Sequence, residues 1–344
     1  MVDSISHILQ IVEPSSPGEE YCLFKHVASE VKTTTHDLLI VGTSRDGAIA
    51  RELGMKNVHL LPRSLSGIWP RSYPIKSWIQ KREAECGRFD RIQVWSAGGP
   101  ASRALASLQR PVSHVLYAIP RDPHAAKAFK RIMACEGSRL IAIGDSVVRS
   151  LSQADLDLDR VECRKPEVPS LCLDQDRRVE IRQSWGIEDQ TLIIGALAEP
   201  ITQLDAILAT KVLVRFLTTG RPVKMILANR VSKRVQAERL MNQLGLSRQL
   251  IFDDAMLHPW ESAAGLDVAV CFGGSGRVNP WPALWAHAHG ARVIAEAVPP
   301  LRDMRDTDSS ISLVKKGDVN DICRMIILGD ENSGQLMREM QSAQ

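Results

Sequence analysis

The sequence predicts an α/β protein built from two Rossmann-like, doubly wound domains that face each other across a cleft. Short apolar runs rich in β-branched residues alternate with helical segments, which is the pattern of βαβ units with parallel strands. At 344 residues the chain is longer than one hydrophobic core usually serves. The alternation lapses between residues 166 and 176. We therefore expect an N-terminal domain over residues 1–165, a linker over 166–176, and a C-terminal domain over 177–344 whose last helix could pack back on the first domain.

The first domain opens with an apolar run and continues in strand and helix pairs. Apolar runs bounded by glycine or proline predict strands over residues 7–12, 38–42, 58–62, 92–96, 115–119 and 140–144. Acidic first turns and closing glycines predict helices near 19–20, over 48–53, 75–85 and 123–134, from the glycine pair 98–99 to about 108, and from 145 onward. A turn over 69–74 is expected before the helix at 75 because it contains two prolines.

The second domain repeats the same alternation after the proline-containing linker. Strands are predicted over 192–195, 223–228, 250–252, 268–272, 291–296 and 311–314. Helices are predicted over 178–185, 204–217, 232–244 and 281–289, with further helices after 314. Residues 298–300, Val-Pro-Pro, are interpreted as a loop that leaves the strand 291–296.

A glycine-rich turn, GGSG at residues 273–276, follows the buried strand 268–272 and precedes a helix. Such a turn presents backbone N–H groups, and the helix dipole adds positive potential, so this stretch is a candidate anion site. We interpret it as the place of a nucleotide diphosphate. The alternative is an ordinary doubly wound turn that binds nothing, because GGSG is neither the GxGxxG fingerprint nor a Walker motif.

Composition excludes several classes of protein. A net charge of +3 is too small to indicate nucleic-acid binding. Seven cysteines, an odd number without any CxxC pair and several of them in apolar runs, favour buried free thiols in a reducing compartment. Since no leader pattern and no run of about 18 apolar residues occurs, we expect a cytoplasmic protein, with peripheral membrane association left open. No zinc, redox or Ser/His/Asp signature is present.

Several stretches of the second half, in order, resemble the donor domain of GT-B glycosyltransferases of family 4. The resemblance rests on WGIEDQTLIIGALAEPITQLD, VKMILANR, AERLMNQLGLSRQLIF, HPWESAAGLDVAVCFGGSGRVNPWPALWAHAHGARVIA and ISLVKKGDVNDICRMIILGDENSGQLM. SRLIAIGDSVVRSL and RVECRKPEV are similar to the end of that family's acceptor domain. The resemblance implies a nucleotide-sugar donor in the C-terminal domain and a glycan or lipid-linked acceptor in the N-terminal one. It also implies transfer without a metal or cofactor.

The chain departs from that family at its charged positions. The two carboxylates of the family's E-x7-E motif would fall at Arg277 and Trp285, and its two diphosphate-binding cations at Ala196 and near Thr202. A guanidinium has the wrong sign for a developing oxocarbenium ion but would favour the departing diphosphate. We therefore expect slow transfer, with nucleotide binding retained.

The candidate site residues lie in loops that should line the cleft. For the donor nucleotide they are Gly274, Ser275, Gly276, Arg277, Asn229, Arg230, Lys233 and Glu199; for the acceptor-side loops Ser15, Ser16, Gly98 and Gly99; for catalysis His124 and Asn279. Each has an ordinary alternative: an exposed loop arginine for Arg277, a solvated helix face for Arg230 and Lys233, and a helix cap for His124. Trp281 and Trp285 share a helix face, where core packing is favoured over base stacking.

The leading hypothesis is a metal-independent glycosyltransferase that uses a nucleotide-sugar donor. The alternative is a catalytically degenerate protein of the same fold that binds a nucleotide, a sugar or a partner without transfer. A Rossmann-type oxidoreductase is disfavoured because GxGxxG is absent.

Overall fold

The computed structural model divides the chain into two compact units, Met1–Pro166 and Glu167–Gln344. Each unit contains its own sheet of parallel strands. The described residues are 7–14, 23–24, 27, 35–62, 73–96, 98–117, 125–153, 156, 158–165, 174–187, 190–198, 206–229, 231–257, 262–274, 280–305 and 311–329.

The N-terminal unit is a seven-stranded parallel sheet of order β3-β2-β1-β4-β5-β6-β7. Its strands are β1 His7–Glu13, β2 Thr35–Gly42, β3 Val58–Pro62, β4 Arg91–Ser96, β5 Ser113–Leu116, β6 Arg139–Ile143 and β7 Val161–Arg164. The helices are α1 Ser44–Glu52, α2 Tyr73–Cys86, α3 Pro100–Ala106, α4 Ala125–Met133 and α5 Asp145–Gln153. The order 3-2-1-4-5-6 is that of a Rossmann domain, so the predicted fold class is confirmed here.

Several elements of this unit differ from the predictions: β2 begins at Thr35 rather than at residue 38, and β5 spans Ser113–Leu116 rather than 115–119. Helix α1 begins four residues before the predicted start, because Thr43 and Asp46 form a capping box around its first turn. Pro74 lies in the first turn of α2 rather than in the turn before it. Proline is tolerated at the start of a helix because the N–H that it lacks would have no partner within the helix. Strand β7 was not predicted, since it is a mostly exposed edge strand with no apolar run.

The C-terminal unit is a six-stranded parallel sheet of order β10-β9-β8-β11-β12-β13, again the Rossmann order. Its strands are β8 Leu192–Ala198, β9 Val223–Leu227, β10 Leu250–Phe252, β11 Val268–Phe272, β12 Arg292–Glu296 and β13 Ser312–Val314. The helices are α6 Gln175–Ser184, α7 Ala206–Leu217, α8 Arg234–Gln243, α9 Trp281–Ala288 and α10 Pro299–Arg305, and residues 319–329 are also helical.

The loop predicted at 298–300 is wrong, because α10 begins at Pro299. Both prolines stand in the first turn, where a proline ring is pre-organised for the helix. Helix α6 begins three residues before its predicted start, since the Asp174 side chain caps it by accepting from the Arg177 N–H. Residues 166–173 of the predicted linker lie outside the described part of the chain.

Helix α6 is bound to its own sheet by arginines. Arg178 and Arg182 both pair with Asp267, which precedes β11, and the Asp267 carboxylate also accepts the Ile193 N–H at 2.7 Å. Arg182 donates further to the Gly265 carbonyl at 3.1 Å.

Among the helices that the structure describes, none has both the length and the apolarity needed to cross a bilayer.

Candidate functional site

The switch point of the C-terminal sheet lies between β8 and β11, where the strand order reverses. Ligands of open α/β sheets bind at this point, outside the carboxyl ends of the strands. Strand β8 ends at Ala198 and β11 ends at Phe272, so the glycine pair Gly273 and Gly274 follows the second of these strands directly. The sequence-predicted glycine turn therefore lies where this fold places a ligand.

A buried carboxylate holds the glycine turn from behind. Glu296, at the end of β12, is 2% exposed and accepts the Gly273 N–H at 2.6 Å and the Gly317 N–H at 2.8 Å. A Cβ on Gly273 would lie 2.4 Å from Val298, so only glycine fits at this position. Gly274 has a φ of +44°, a left-handed conformation that favours glycine. Sequence reasoning missed Glu296, whose only local signal was a carboxylate at a strand end.

Lys316 contacts the same turn from the other side. Its Nζ donates to the Gly274 carbonyl oxygen at 2.6 Å, and its side chain is exposed. Gly317, the next residue, is bound to Glu296 through its N–H. One carboxylate thus ties together the glycine turn after β11 and the lysine-bearing turn after β13. Lys316 was not among the predicted site residues.

Helix α9 starts behind the turn, with Pro280 as its N-cap residue. Trp281 and Trp285 are each 2% exposed, so the expected core packing is confirmed. Trp285 stands where the resemblance would place the carboxylate that holds the ribose. Its buried indole cannot make that contact, and a ribose would have to be held by another residue.

The loop after β9 carries Asn229 and Lys233, two of the predicted donor-nucleotide residues. The Asn229 Oδ1 accepts from Arg234 Nη1 at 2.7 Å. Arg234 also pairs with Glu238 at 2.8 Å and stacks over the Phe252 ring at 4.5 Å. Lys233 takes a left-handed conformation, with φ at 57°, just before α8. The side chain of Arg234 is therefore committed to contacts within its own unit.

The second glycine turn, Gly98 and Gly99, follows β4 at the switch point between β1 and β4 of the N-terminal sheet. Here Glu13, 6% exposed at the end of β1, accepts the Ala101 N–H at 3.1 Å through Oε2. A Cβ on Gly99 would lie 2.4 Å from the Glu13 Oε1. The chain's own carboxylate thus occupies the anion position at the start of α3, which disfavours an anionic ligand at this turn.

A buried polar cluster supports that turn. Ser96 Oγ accepts the Gly98 N–H at 3.1 Å and lies 3.1 Å from His114 Nε2, which is also 3.4 Å from Ser102 Oγ. Burial lowers the pKa of His114 to about 3, so the imidazole is neutral at physiological pH. Because it is fully buried and neutral, His114 serves to position the turn rather than to exchange protons with a substrate.

A third cluster lies at the opposite, amino-terminal ends of β1, β2 and β3. Asp37, 1% exposed, is bound by Arg82 through both oxygens at 3.0 and 3.1 Å, by His7 at 3.0 Å and by His59 at 3.2 Å. Burial alone raises the pKa of Asp37, but the hydrogen bonds from Arg82 and the two histidines outweigh it, and the net shift is downward. His7, Asp37 and Cys86 offer ligand atoms within 4.8 Å of one another, but the guanidinium on Asp37 opposes a metal cation there.

The remaining predicted site residues lie outside the described part of the chain. They are Ser15, Ser16, His124, Glu199, Arg230, Ser275, Gly276, Arg277 and Asn279. Cys86, Cys135, Cys163, Cys271 and Cys323 lie within the described part, and none of these five forms a disulfide. Cys271 and Cys323 are buried, as expected, whereas Cys86 and Cys163 are exposed, so the expectation of buried thiols is wrong for those two.

Comparison with solved structures shows the GT-B fold. The chain is similar to HepE from Anabaena, solved with UDP and glucose: 16% identity, TM-score 0.66, covering 96% of this chain and 91% of that one. It is similar to a glycosyltransferase from Rickettsia africae, with 14% identity and a TM-score of 0.64 over 94% of this chain and 88% of that one. It is also similar to a UDP-GlcNAc 2-epimerase from Methanocaldococcus jannaschii, with 12% identity and a TM-score of 0.59 over 93% of this chain and 91% of that one. No protein-family model and no curated protein matches the chain.

Proposed function

We propose that this protein is a metal-independent glycosyltransferase that moves a sugar from a nucleotide-sugar donor to a glycan or lipid-linked acceptor. The observation that carries the proposal is the glycine turn at the switch point of the C-terminal sheet, held in place by Glu296. The likeness to HepE, whose solved structure contains UDP and glucose, supports the same class of ligand. We expect it to act in the cytoplasm, where its free thiols stay reduced, and peripheral membrane association is open.

The proposed chemistry needs stabilisation of a leaving diphosphate. The Gly273 N–H is taken by Glu296, so the partial positive charge at the amino-terminal end of α9 is what this backbone offers to the diphosphate oxygens. Stabilisation that grows as negative charge develops on the leaving group accelerates transfer, whereas uniform binding does not. Under this proposal the donor diphosphate lies against the Gly273–Gly274 turn, and no cofactor takes part.

Titration of the full chain with UDP, GDP and ADP tests the proposal. At 100 times its dissociation constant a ligand stabilises the folded state by about 2.7 kcal/mol, which raises the unfolding temperature measurably. We expect at least one nucleoside diphosphate to do so, with inorganic phosphate as the control that should not. If none of the three changes the unfolding temperature or binds in calorimetry, the proposal is wrong.

A second candidate, binding without transfer, is favoured by the burial of Trp285 and by Arg277 at the other carboxylate position. Incubation of a radiolabelled nucleotide-sugar with cell-extracted glycan and lipid acceptors separates the two. Label in an acceptor supports transfer, and tight donor binding with no label moved supports the second candidate. Conversion of the donor into an epimer would indicate the reaction named for the Methanocaldococcus relative instead.

A further inference from the structure

A diphosphate bound at this turn needs a positive charge, and the sequence alone did not identify the residue that supplies it. A nucleoside diphosphate carries several negative charges, yet the described part of the turn offers only backbone groups. The Glu296 carboxylate also lies next to the turn, with its Oε2 2.6 Å from the Gly273 nitrogen. Ala196, within β8 beside the turn's strand, is an apolar residue 3% exposed. A ligand phosphate near a carboxylate needs a cation within a few ångströms to offset the repulsion.

Lys316 is a described cation in contact with this turn. Its Nζ lies 2.6 Å from the Gly274 carbonyl oxygen, although the two residues are 42 positions apart. The turn that carries it is held in place because Gly317 binds Glu296. The Lys316 side chain is exposed, so its charge is accessible to an incoming ligand. An ammonium has three donors, and the contact to Gly274 uses one of them.

We propose that Lys316 binds the diphosphate of the donor nucleotide and supplies the positive charge of the site. This inference rests on the proposed function, because it names a ligand contact within the same site. With one donor on the Gly274 carbonyl, the ammonium can point its other donors at phosphate oxygens, which cannot use the Gly273 N–H because Glu296 already accepts it. Glu296 then positions both partners: it orients the glycine turn through Gly273 and the lysine turn through Gly317.

The test compares Lys316→Gln with Lys315→Gln in the full chain. Lys315 is also exposed, carries the same charge and belongs to the same turn, so it is the matched control. A glutamine at 316 can still donate to the Gly274 carbonyl, which keeps the turn in place while removing the charge. We expect Lys316→Gln to weaken UDP binding about 10-fold or more, the loss typical of one charge-assisted hydrogen bond, and to flatten its salt dependence. Lys315→Gln should change UDP affinity less than about 2-fold, as a surface charge does.

Binding of uridine, which lacks phosphate, distinguishes a phosphate contact from an indirect effect. If Lys316→Gln weakens UDP and leaves uridine binding and the unfolding midpoint unchanged, the proposal is supported. Equal weakening of UDP and uridine, or equal effects of the two lysine variants, overturns the assignment of Lys316 while the donor site itself stands. A wild-type chain that binds none of UDP, GDP and ADP overturns the proposed function and this inference together. Should GDP or ADP bind better than UDP, the same comparison uses that nucleotide and its nucleoside.

Discussion

Replacement of Glu296 by glutamine should destabilise the C-terminal unit by about 2 kcal/mol. The carboxylate accepts two backbone N–H groups, from Gly273 and Gly317, with one oxygen each. Glutamine keeps a single acceptor, so one N–H loses its partner and faces an amide donor. Loss of a hydrogen bond to a charged group costs about 1.5–3 kcal/mol, and the surviving bond becomes a weaker neutral one. The amide is less costly to bury than a carboxylate, which offsets part of the loss.

Urea denaturation followed by circular dichroism and tryptophan fluorescence measures this cost. Trp281 and Trp285 are buried in α9 beside the turn and report on the same unit. Glu238→Gln is the control, because that partly exposed carboxylate pairs with Arg234 across one helical turn, and its replacement should cost about 0.3–0.5 kcal/mol. Equal costs for the two variants would refute the idea that Glu296 holds the turn. If the units unfold in separate transitions, only the transition of the C-terminal unit should shift.

Three further substitutions test the N-terminal unit. Asp37→Asn should cost about 3–5 kcal/mol in urea denaturation, because Arg82 and both histidines lose a buried anionic partner. The pKa of Asp37 is lowered in the folded state, so its contribution to the free energy of unfolding is present above the ordinary pKa of about 3.9 and is lost as the pH falls through the lowered pKa. Below about pH 3.9 the free energy of unfolding should therefore fall more steeply with decreasing pH in the wild type than in the Asp37→Asn variant. Gly99→Ala should cost about 1–3 kcal/mol because its Cβ would lie 2.4 Å from Glu13. Gly47→Ala, where the nearest atom is 3.6 Å away within α1, should be neutral or stabilising by up to about 1 kcal/mol in the same urea denaturation.

Elements with strong local patterns were predicted well. Strand β11 has the predicted bounds, and β12 starts within one residue of its prediction, because a buried parallel strand is a continuous apolar run. Strand β10 also has the predicted bounds, because this partly buried edge strand is apolar throughout. The edge strand β7 has no such run, since most of its side chains are exposed. Helix α10 was missed because the pair Pro299-Pro300 signals both a loop and a helix start, and the local sequence does not choose between them.

The sequence by itself determined two alternating strand series and a glycine turn at residues 273–276, because periodicity and glycine act within a few neighbouring positions. Tertiary structure alone decided what surrounds that turn. Glu296 is 23 residues from Gly273, and Lys316 is 42 residues from Gly274. They meet there because β12 lies beside β11 and β13 beside β12, an order that no local pattern encodes. Side chains at the carboxyl ends of neighbouring parallel strands converge on one edge of the sheet, so their contacts follow strand order and register rather than sequence separation.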